Sequence, residues 1–412
     1  MKKLIITGAA WVCCIIWTGC NAPAKEAPSL RQDSLKNEFL LVGGNFENSE
    51  FIYYGIPGNI SWRDTSPGWT QKGQKILLTG TVYQLDGKTP APGVLLYYYH
   101  TNIEGRYLHR PGEKRSMPPN ELGQTHGYIR GWVKTDTAGR YSIYTVRPGA
   151  YPTHDEPEHI HINVKEPNNI NEYYIDDFVF DDDKLLLPYL KKYPLQNRGG
   201  SGVLRVLLKG DLQVAERNII LGLNIPGYPG RSIGGERSGL NIGEDQPSFG
   251  PFHAYGPDRG TQTCPVCKYG RYHGIIYFVG NNPNWDEIKQ WLIFLENESI
   301  RREKYLKAYF VFGNGLNYNR QQRQKQLEQL GQALNIRKMA LTYVPSFSDI
   351  KTEVHLNKIN PDVDNTFIIY KHRNIVDKYI NLKPTPESFK SIDQALDRSR
   401  GTYFDLEEPE HE

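Results

Sequence analysis

Two hydrophobic patterns follow one another along the chain, and they change near residue 252. In the first, short apolar runs are separated by turn signals such as Asp86-Gly87, as is usual for antiparallel β-structure. Strands are predicted at residues 76–83, 94–99 and 140–146. No long helical period interrupts these runs, so the pattern predicts an all-β sandwich over residues 74–228.

In the second pattern, apolar runs alternate with helical periods. Asn284, with Glu287 three residues later, predicts the start of a helix. Strands are predicted at 274–279, 305–312, 339–344, 367–370 and 375–380, and further helices at 320–334 and 386–396. This order predicts an α/β domain over residues 252–405, which resembles the thioredoxin-like superfamily. Residues 229–251, rich in Gly and Pro, are predicted to be the linker between the domains.

The N-terminus has the features of a targeting segment. Two lysines precede an apolar run at residues 4–17, which ends in Thr-Gly-Cys at Cys20. Residues 1–20 resemble a bacterial lipoprotein signal, which implies that Cys20 is lipidated. The alternative is an ordinary buried helix. The first interpretation predicts a cell-envelope lipoprotein at the outer membrane, facing the periplasm or the cell surface, with residues 21–73 as tether and lead-in.

Length and charge limit the remaining possibilities. A chain of 412 residues is too long for one compact core and suits two domains. Its 49 basic and 46 acidic residues give a net charge of +3, which argues against nucleic acid as a partner. Glycine (39), proline (27) and tyrosine (27) are abundant and methionine is scarce (3), which favours β-rich structure over a helical bundle.

Candidate metal ligands lie in the predicted sandwich. His159 and His161 are two residues apart, so on a strand both side chains project from one face and can share a metal. Tyr107 and Tyr151 precede them. Two phenolates and two imidazoles form a hard, electron-rich ligand set that favours Fe(III). The alternative is a transthyretin-like module, in which such tyrosines pack and the glycines form turns.

This combination resembles the intradiol ring-cleavage dioxygenases, the family of catechol 1,2- and protocatechuate 3,4-dioxygenases, over roughly residues 74–225. The resemblance implies a ferric centre held by Tyr107, Tyr151, His159 and His161 and completed by hydroxide. It also implies a catalytic role for Tyr151, which the catechol substrate would displace together with the hydroxide. The iron would then make the bound ring reactive toward O2, and cleavage would fall between the two hydroxyl-bearing carbons.

Two positions depart from the family pattern. The family usually has an arginine three residues before the first histidine, where this chain has Glu156. A carboxylate has the wrong sign to stabilise electron density on the substrate, so Glu156 is the second candidate catalytic position. Where the family often has a glutamine, the nearest counterpart is Asp177. The cations proposed to supply the missing charge are Arg106, Arg130 and Arg147. Four other histidines are predicted to be surface or loop residues, namely His100, His109, His126 and His154.

Cys264 and Cys267 form a Cys-x-x-Cys motif in the second region. Three interpretations remain open: a structural disulfide or thiol pair, a redox pair, and a zinc site completed by His253 and His273. In thioredoxins the pair follows the first central strand, whereas here it precedes the strand predicted at residues 274–279.

Together these features predict an Fe(III)-dependent dioxygenase of the cell envelope that acts on a small aromatic diol with O2. Two alternatives from other classes are a non-catalytic β-sandwich binding module and a thiol-redox protein of the envelope that uses the Cys-x-x-Cys domain. The sequence predicts neither the catechol nor the oligomeric state.

Overall fold

Residues 49–229, 237–316, 318–401 and 403–409 are described by a computed structural model. The first half contains twelve strands and two helices within these residues. The strands are β1 (Arg63–Thr65), β2 (Lys75–Tyr83), β3 (Leu95–Tyr99), β4 (Arg130–Lys134), β5 (Arg140–Val146), β6 (His159–Lys165), β7 (Tyr173–Tyr174), β8 (Phe178–Phe180), β9 (Val203–Leu204), β10 (Val206–Lys209), β11 (Leu212–Glu216) and β12 (Ile219–Ile220). The helices are α1 (Ser49–Tyr53) and α2 (Leu186–Lys192), and a 3-10 turn spans Pro67–Thr70.

These strands form two sheets, as the sequence predicts. One has the order β1-β5-β2-β11-β10, with β12 paired to β2, and the other has the order β4-β3-β6-β8-β9, with β7 paired to β6. A shared core joins their inner faces, with Leu78 and Ile143 from the first sheet packed with Leu96 and Ile162 from the second. Burial of these side chains is the main stabilising contribution to the sandwich.

Alternation along β6 separates core residues from candidate ligands. Ile160 and Ile162 enter the shared core, so His159 and His161 project from the opposite face of the sheet. Tyr99 on β3 lies directly across from His161 in the antiparallel register. The outer face of the second sheet therefore carries the candidate site.

The second half contains six strands and four helices among the described residues. They are β13 (Phe252–Tyr255), α3 (Pro265–Tyr269), β14 (His273–Val279), α4 (Trp285–Arg301), β15 (Leu306–Phe312), α5 (Arg320–Ala333), β16 (Ala340–Tyr343), β17 (Thr366–Lys371), β18 (Asn374–Ile380) and α6 (Pro386–Arg400), with 3-10 turns at Val354–Asn357 and Tyr403–Asp405. The sheet order is β13-β16-β15-β14-β17-β18. Strands β14, β15 and β16 are parallel, whereas β13, β17 and β18 pair antiparallel.

The predicted helix start at Asn284 is confirmed. Its side chain accepts hydrogen bonds from the backbone N–H groups of Asp286 and Glu287 at 3.2 and 3.3 Å. On α4, Ile288 and Leu292 are buried against the sheet, as their spacing predicts. This half is an α/β structure. Its thioredoxin-like assignment remains a prediction.

The predicted linker, residues 229–251, has a packed second half. Phe249 is buried, and it joins Leu240 and Ile242 against the face of the α/β sheet opposite α4, α5 and α6. The backbone N–H of Gly239 donates to the carbonyl oxygen of Lys358 at 3.0 Å. The Gly/Pro-rich composition of the segment does not predict this packing, because the segment covers the sheet with only a few isolated apolar residues.

Ion pairs connect the two halves. Lys88 pairs with Asp377 at 2.6 Å, and Lys371 pairs with Glu216 at 3.1 Å. The described residues all belong to one compact unit. No helix among them is long and apolar enough to span a membrane.

Candidate metal centre

Strand β6 and two loops bring the four predicted ligands together. The phenolic oxygens of Tyr107 and Tyr151 lie 3.2 Å apart, and Nε2 of His159 lies 3.3 Å from the Tyr151 oxygen. The ring centroids of His159 and His161 are 4.7 Å apart. Four residues separated by up to 54 positions in sequence therefore form one cluster on the outer face of the second sheet.

Gly105 explains how the two tyrosine loops approach each other. Its φ is +72°, a conformation that L side chains rarely adopt, and an added Cβ would overlap the carbonyl oxygen of Ala150. That overlap would push the loop bearing Tyr107 away from the loop bearing Tyr151. Glycine at this position thus permits the contact between the two phenols.

Each histidine has one ring nitrogen fixed by an acceptor. His159 donates Nδ1–H to the carbonyl oxygen of Pro157 at 2.7 Å, and His161 donates Nδ1–H to a carboxylate oxygen of Asp177 at 2.9 Å. In both rings Nε2 is left as the lone-pair donor. Metal-binding histidines commonly have such an anchor on the second nitrogen, which fixes both tautomer and ring orientation.

The electrostatics of the cluster agree with these roles. Burial lowers the pKa of His161, but the adjacent Asp177 carboxylate outweighs it and the net shift is upward. The pKa of Asp177 is lowered because its charge interacts with His161, which outweighs burial. Burial raises the pKa of the Tyr107 and Tyr151 phenols, so a bound cation is needed to hold either as phenolate.

The donor set fits ferric iron. Two phenols and two imidazoles supply oxygen and nitrogen ligands and no sulfur, a combination suited to a hard cation. Within the described parts of the chain, the one group of at least three His, Cys, Asp or Glu with ligand atoms within 4.8 Å of each other is His159, His161 and Asp177. Two of its members, His159 and His161, are predicted ligands, and the third, Asp177, anchors His161.

A cavity of about 390 Å³ opens beside the histidines, and Glu156 lines it. Asp177 and the α2 residues Tyr189 and Leu190 contribute to the same wall. Among the residues that the structure describes, Arg198 is the one arginine or lysine in this lining. Sequence reasoning missed Arg198, because it lies in a loop without any motif.

The three arginines proposed as substitutes for the missing cation do not line this cavity. Arg130 is fully buried and donates from Nη1 to the Tyr97 hydroxyl at 2.9 Å. Arg147 pairs with Asp182 at 2.8 Å and with a second carboxylate, Glu158. Arg106 is exposed beside Tyr107, at a neighbouring depression.

A stacked aromatic column supports His161 from the side. Tyr99 stacks on His161 with centroids 4.6 Å apart, and His126 stacks on Tyr99 at 3.6 Å. The Tyr97 hydroxyl hydrogen-bonds Nδ1 of His126 at 2.8 Å. The prediction of surface or loop positions holds for His109 and His154, which are exposed, but His126 and His100 are loop residues that are buried.

The cysteine pair is oxidised, a state that both the structural and the redox interpretations allow. Cys264 and Cys267 are joined as a disulfide. The two ring nitrogens of His253 instead lie 3.1 and 2.9 Å from the carbonyl oxygens of Pro257 and Thr263, and Nε2 of His273 lies 3.0 Å from the hydroxyl of Ser399. The predicted zinc site is therefore not formed, since both histidines have other partners. Cys20, the predicted lipidation site, lies outside the described residues.

Comparison with known proteins finds a family match over part of the chain. Residues 59–192 match the family model Dioxygenase_C, described as dioxygenase. This range includes the four candidate ligands as well as Glu156 and Asp177. The match covers β1 to β8 and α2 of the sandwich and leaves β9 to β12 and the α/β half outside it.

Two curated relatives each match about a quarter of the chain. The protocatechuate 3,4-dioxygenase beta chain of Burkholderia cepacia is 35% identical over 100 residues, 24% of this chain and 37% of that protein. Catechol 1,2-dioxygenase of Acinetobacter baylyi is 27% identical over 99 residues, 24% of this chain and 28% of that protein. The matched region thus spans only about a third of the length of these relatives.

Solved structures of similar proteins include two dioxygenases. The dioxygenase domain of a dioxygenase carbohydrate-binding protein fusion from Streptomyces sp. SirexAA-E is 18% identical, with a TM-score of 0.30, and the match covers 40% of this chain and 91% of that one. An intradiol ring-cleavage dioxygenase from Tetranychus urticae is 17% identical, with a TM-score of 0.29, and the match covers 43% and 92%.

Proposed function

We propose that the sandwich is an Fe(III)-dependent intradiol dioxygenase that cleaves a catechol-type aromatic with O2. The observation that carries this proposal is the convergence of Tyr107, Tyr151, His159 and His161, with both histidines anchored through Nδ1. The family match of residues 59–192 supports it independently.

Each of the four candidate ligands would have a distinct role in this reaction. His159 and His161 hold the metal on a rigid strand, and Tyr107 and Tyr151 complete the set from loops. Ferric iron, when bound, supplies a Lewis-acidic centre at which a catechol and O2 can react. Tyr151, on a loop, would be the phenol that the substrate replaces at the metal. The adjacent 390 Å³ cavity accommodates the aromatic ring.

Purified protein tests this proposal directly. Iron should bind at close to one equivalent and give a visible absorption band, because tyrosinate-to-Fe(III) charge transfer colours such sites. Adding catechol should shift the band and start oxygen uptake. Replacing Tyr107 or Tyr151 with phenylalanine should shift or weaken the band. A colourless protein with stoichiometric zinc would contradict the ferric assignment.

A second candidate is a non-catalytic binding module, and Glu156 in the cavity wall favours it. A carboxylate there opposes electron density on a bound catecholate. The two candidates differ in one measurement: an iron-loaded binding module shifts its band with catechol but consumes no O2.

We also propose, from the sequence, that the protein is a lipoprotein of the cell envelope anchored through Cys20. Cys20→Ala should abolish membrane association and leave an uncleaved or soluble precursor. The measurement is membrane fractionation with mass analysis of the N-terminal peptide. Soluble wild-type protein with unmodified Cys20 would overturn this proposal.

A further inference from the structure

The disulfide of the α/β half joins two sulfur atoms in different surroundings. Cys264 is half-buried and packs, with Tyr269, against the apolar cluster on one face of the sheet. Cys267, three positions later, is exposed. A thiolate arriving from solvent therefore meets Cys267 first.

The surrounding turn is held in place without the disulfide. The backbone N–H of Lys268 donates to the carbonyl oxygen of Cys264 at 3.1 Å, and that of Gly270 donates to Val266 at 2.9 Å. Pro265 and Val266 are buried. A disulfide that closes so short a loop also constrains the unfolded chain less than a long-range one. The turn can thus keep its shape in both redox states.

A backbone hydrogen bond distinguishes the two sulfurs further. The N–H of Cys267 donates to Sγ of Cys264 at 3.0 Å. Such a donor stabilises negative charge on sulfur, and a better-stabilised thiolate leaves faster in thiol–disulfide exchange. Cys264 is therefore the better leaving group, and Cys267 is the better point of attack.

We propose that Cys264–Cys267 is a redox-active disulfide that exchanges with external thiols, an activity separate from the metal centre. An external thiolate attacks Sγ of Cys267 and forms a mixed disulfide, and the electron pair of the broken S–S bond leaves on Cys264. A second external thiolate attacks the external sulfur of the mixed disulfide and releases Cys267 as thiolate. The external thiols are oxidised to a disulfide, the protein disulfide gains two electrons, and the protons lost by the thiols can be taken up by the two cysteines.

The first test follows the full-length protein in glutathione buffers. Trypsin releases residues 260–268, which contain both cysteines and none of the other three, so thiol labelling of this peptide reports this pair alone. The pair should become reduced at millimolar glutathione and reoxidise when glutathione disulfide is restored. A pair that stays oxidised in reduced glutathione and opens only with a phosphine would overturn the proposal.

The second test uses matched variants and glutathione disulfide as probe. Cys264→Ser leaves the exposed sulfur and should be glutathionylated at least about ten-fold faster than Cys267→Ser, which leaves the half-buried one. Equal or reversed rates would contradict the assigned point of attack. The double variant should melt at nearly the wild-type temperature, and a large decrease would instead show a structural disulfide. Iron content should be unchanged in the two single variants and the double variant. A failure of the redox proposal can therefore be distinguished from a failure of the proposed iron site.

Discussion

Buried histidines occur in both halves of the molecule, and their hydrogen bonds give them different capacities. In the sandwich, His159 and His161 each have Nδ1 fixed by an acceptor, and Nε2 of His159 faces Tyr151. In the α/β half, both ring nitrogens of His253 lie near carbonyl oxygens, and Nε2 of His273 bonds a serine hydroxyl. A histidine is thus a candidate metal ligand when one ring nitrogen is held by a hydrogen-bond acceptor and the other faces further candidate ligands.

Two partly buried carboxylates show the same contrast. Asp177 lies 2.9 Å from His161, and this interaction holds its pKa below the ordinary value. Asp245 lies 3.5 Å from Arg373, and burial raises its pKa to about 6 in spite of that partner. A close, well-directed partner decides whether a buried carboxylate stays charged. Asp245 is therefore a suitable control for experiments on Asp177.

The largest expected effect is the loss of iron from the sandwich when a ligand is removed. His159→Ala or His161→Ala should weaken iron binding by more than about 100-fold, because each removes one of four protein ligands. Iron content after dialysis measures this. His273→Gln is the matched control from the α/β half and should retain wild-type iron. Equal losses in all three variants would mean that the two groups of histidines do not differ.

The next effect concerns charge in the cavity. A carboxylate near a bound catecholate adds repulsion of about 1 to 4 kcal/mol at short range. If it acts only in the transition state, Glu156→Arg should raise ring cleavage by about five- to a thousand-fold, with iron content unchanged. Oxygen uptake with a panel of catechols measures both proteins. Strong wild-type turnover that falls in the variant would instead indicate a substrate with a cationic or neutral group facing Glu156.

A smaller effect is expected from the anchor of His161. Asp177→Asn keeps the shape of the side chain but removes the charge, and iron affinity should fall by about 10- to 100-fold. Competition with a chelator measures the affinity. Asp245→Asn should leave it unchanged, since Asp245 pairs with Arg373 in the other half. If Asp177→Asn binds iron like the wild type, its contact with His161 is not needed to hold the ligand.

Much of the α/β half could be predicted from the sequence, because its elements are local. The cap at Asn284 and the apolar period on α4 both act within a few residues. The sandwich strand at residues 140–146 could also be predicted from the sequence. What the sequence missed depends on long-range packing: β1, β4, the strands β7 to β11, β13, and the cover over the sheet by Phe249.

At the candidate metal site, the residue types in the sequence predicted the four ligands, but only the structure shows the residues that surround them. The His-x-His spacing on a strand was sufficient to place His159 and His161 on one face. The stacked column of Tyr99 and His126 could not be predicted, since it depends on the register of β3 against β6. Arg198 reaches the cavity from a loop, where no periodicity indicates the direction of a side chain.

The smallest effect separates a structural histidine from the candidate ligands by its response to acid. Burial, together with the nearby cations Lys371, Arg302 and Arg400, lowers the pKa of His273 to about 3. The unfolded chain binds a proton here near pH 6.5 and the folded protein does not, so the stabilisation is complete above that pH and is lost as pH falls toward 3. From pH 7 to pH 5 this histidine alone should reduce the free energy of unfolding by about 2 kcal/mol.

Urea unfolding at the two pH values measures this change. His273→Gln should remove about 2 kcal/mol of the pH dependence, because glutamine does not titrate in this range. His154→Gln is the matched control, since His154 is exposed, and should leave the dependence unchanged. If the free energy of unfolding of His273→Gln has the full wild-type pH dependence, then the proton that the chain takes up on unfolding in acid binds to another residue. His273 would then not contribute to stability as a buried neutral ring.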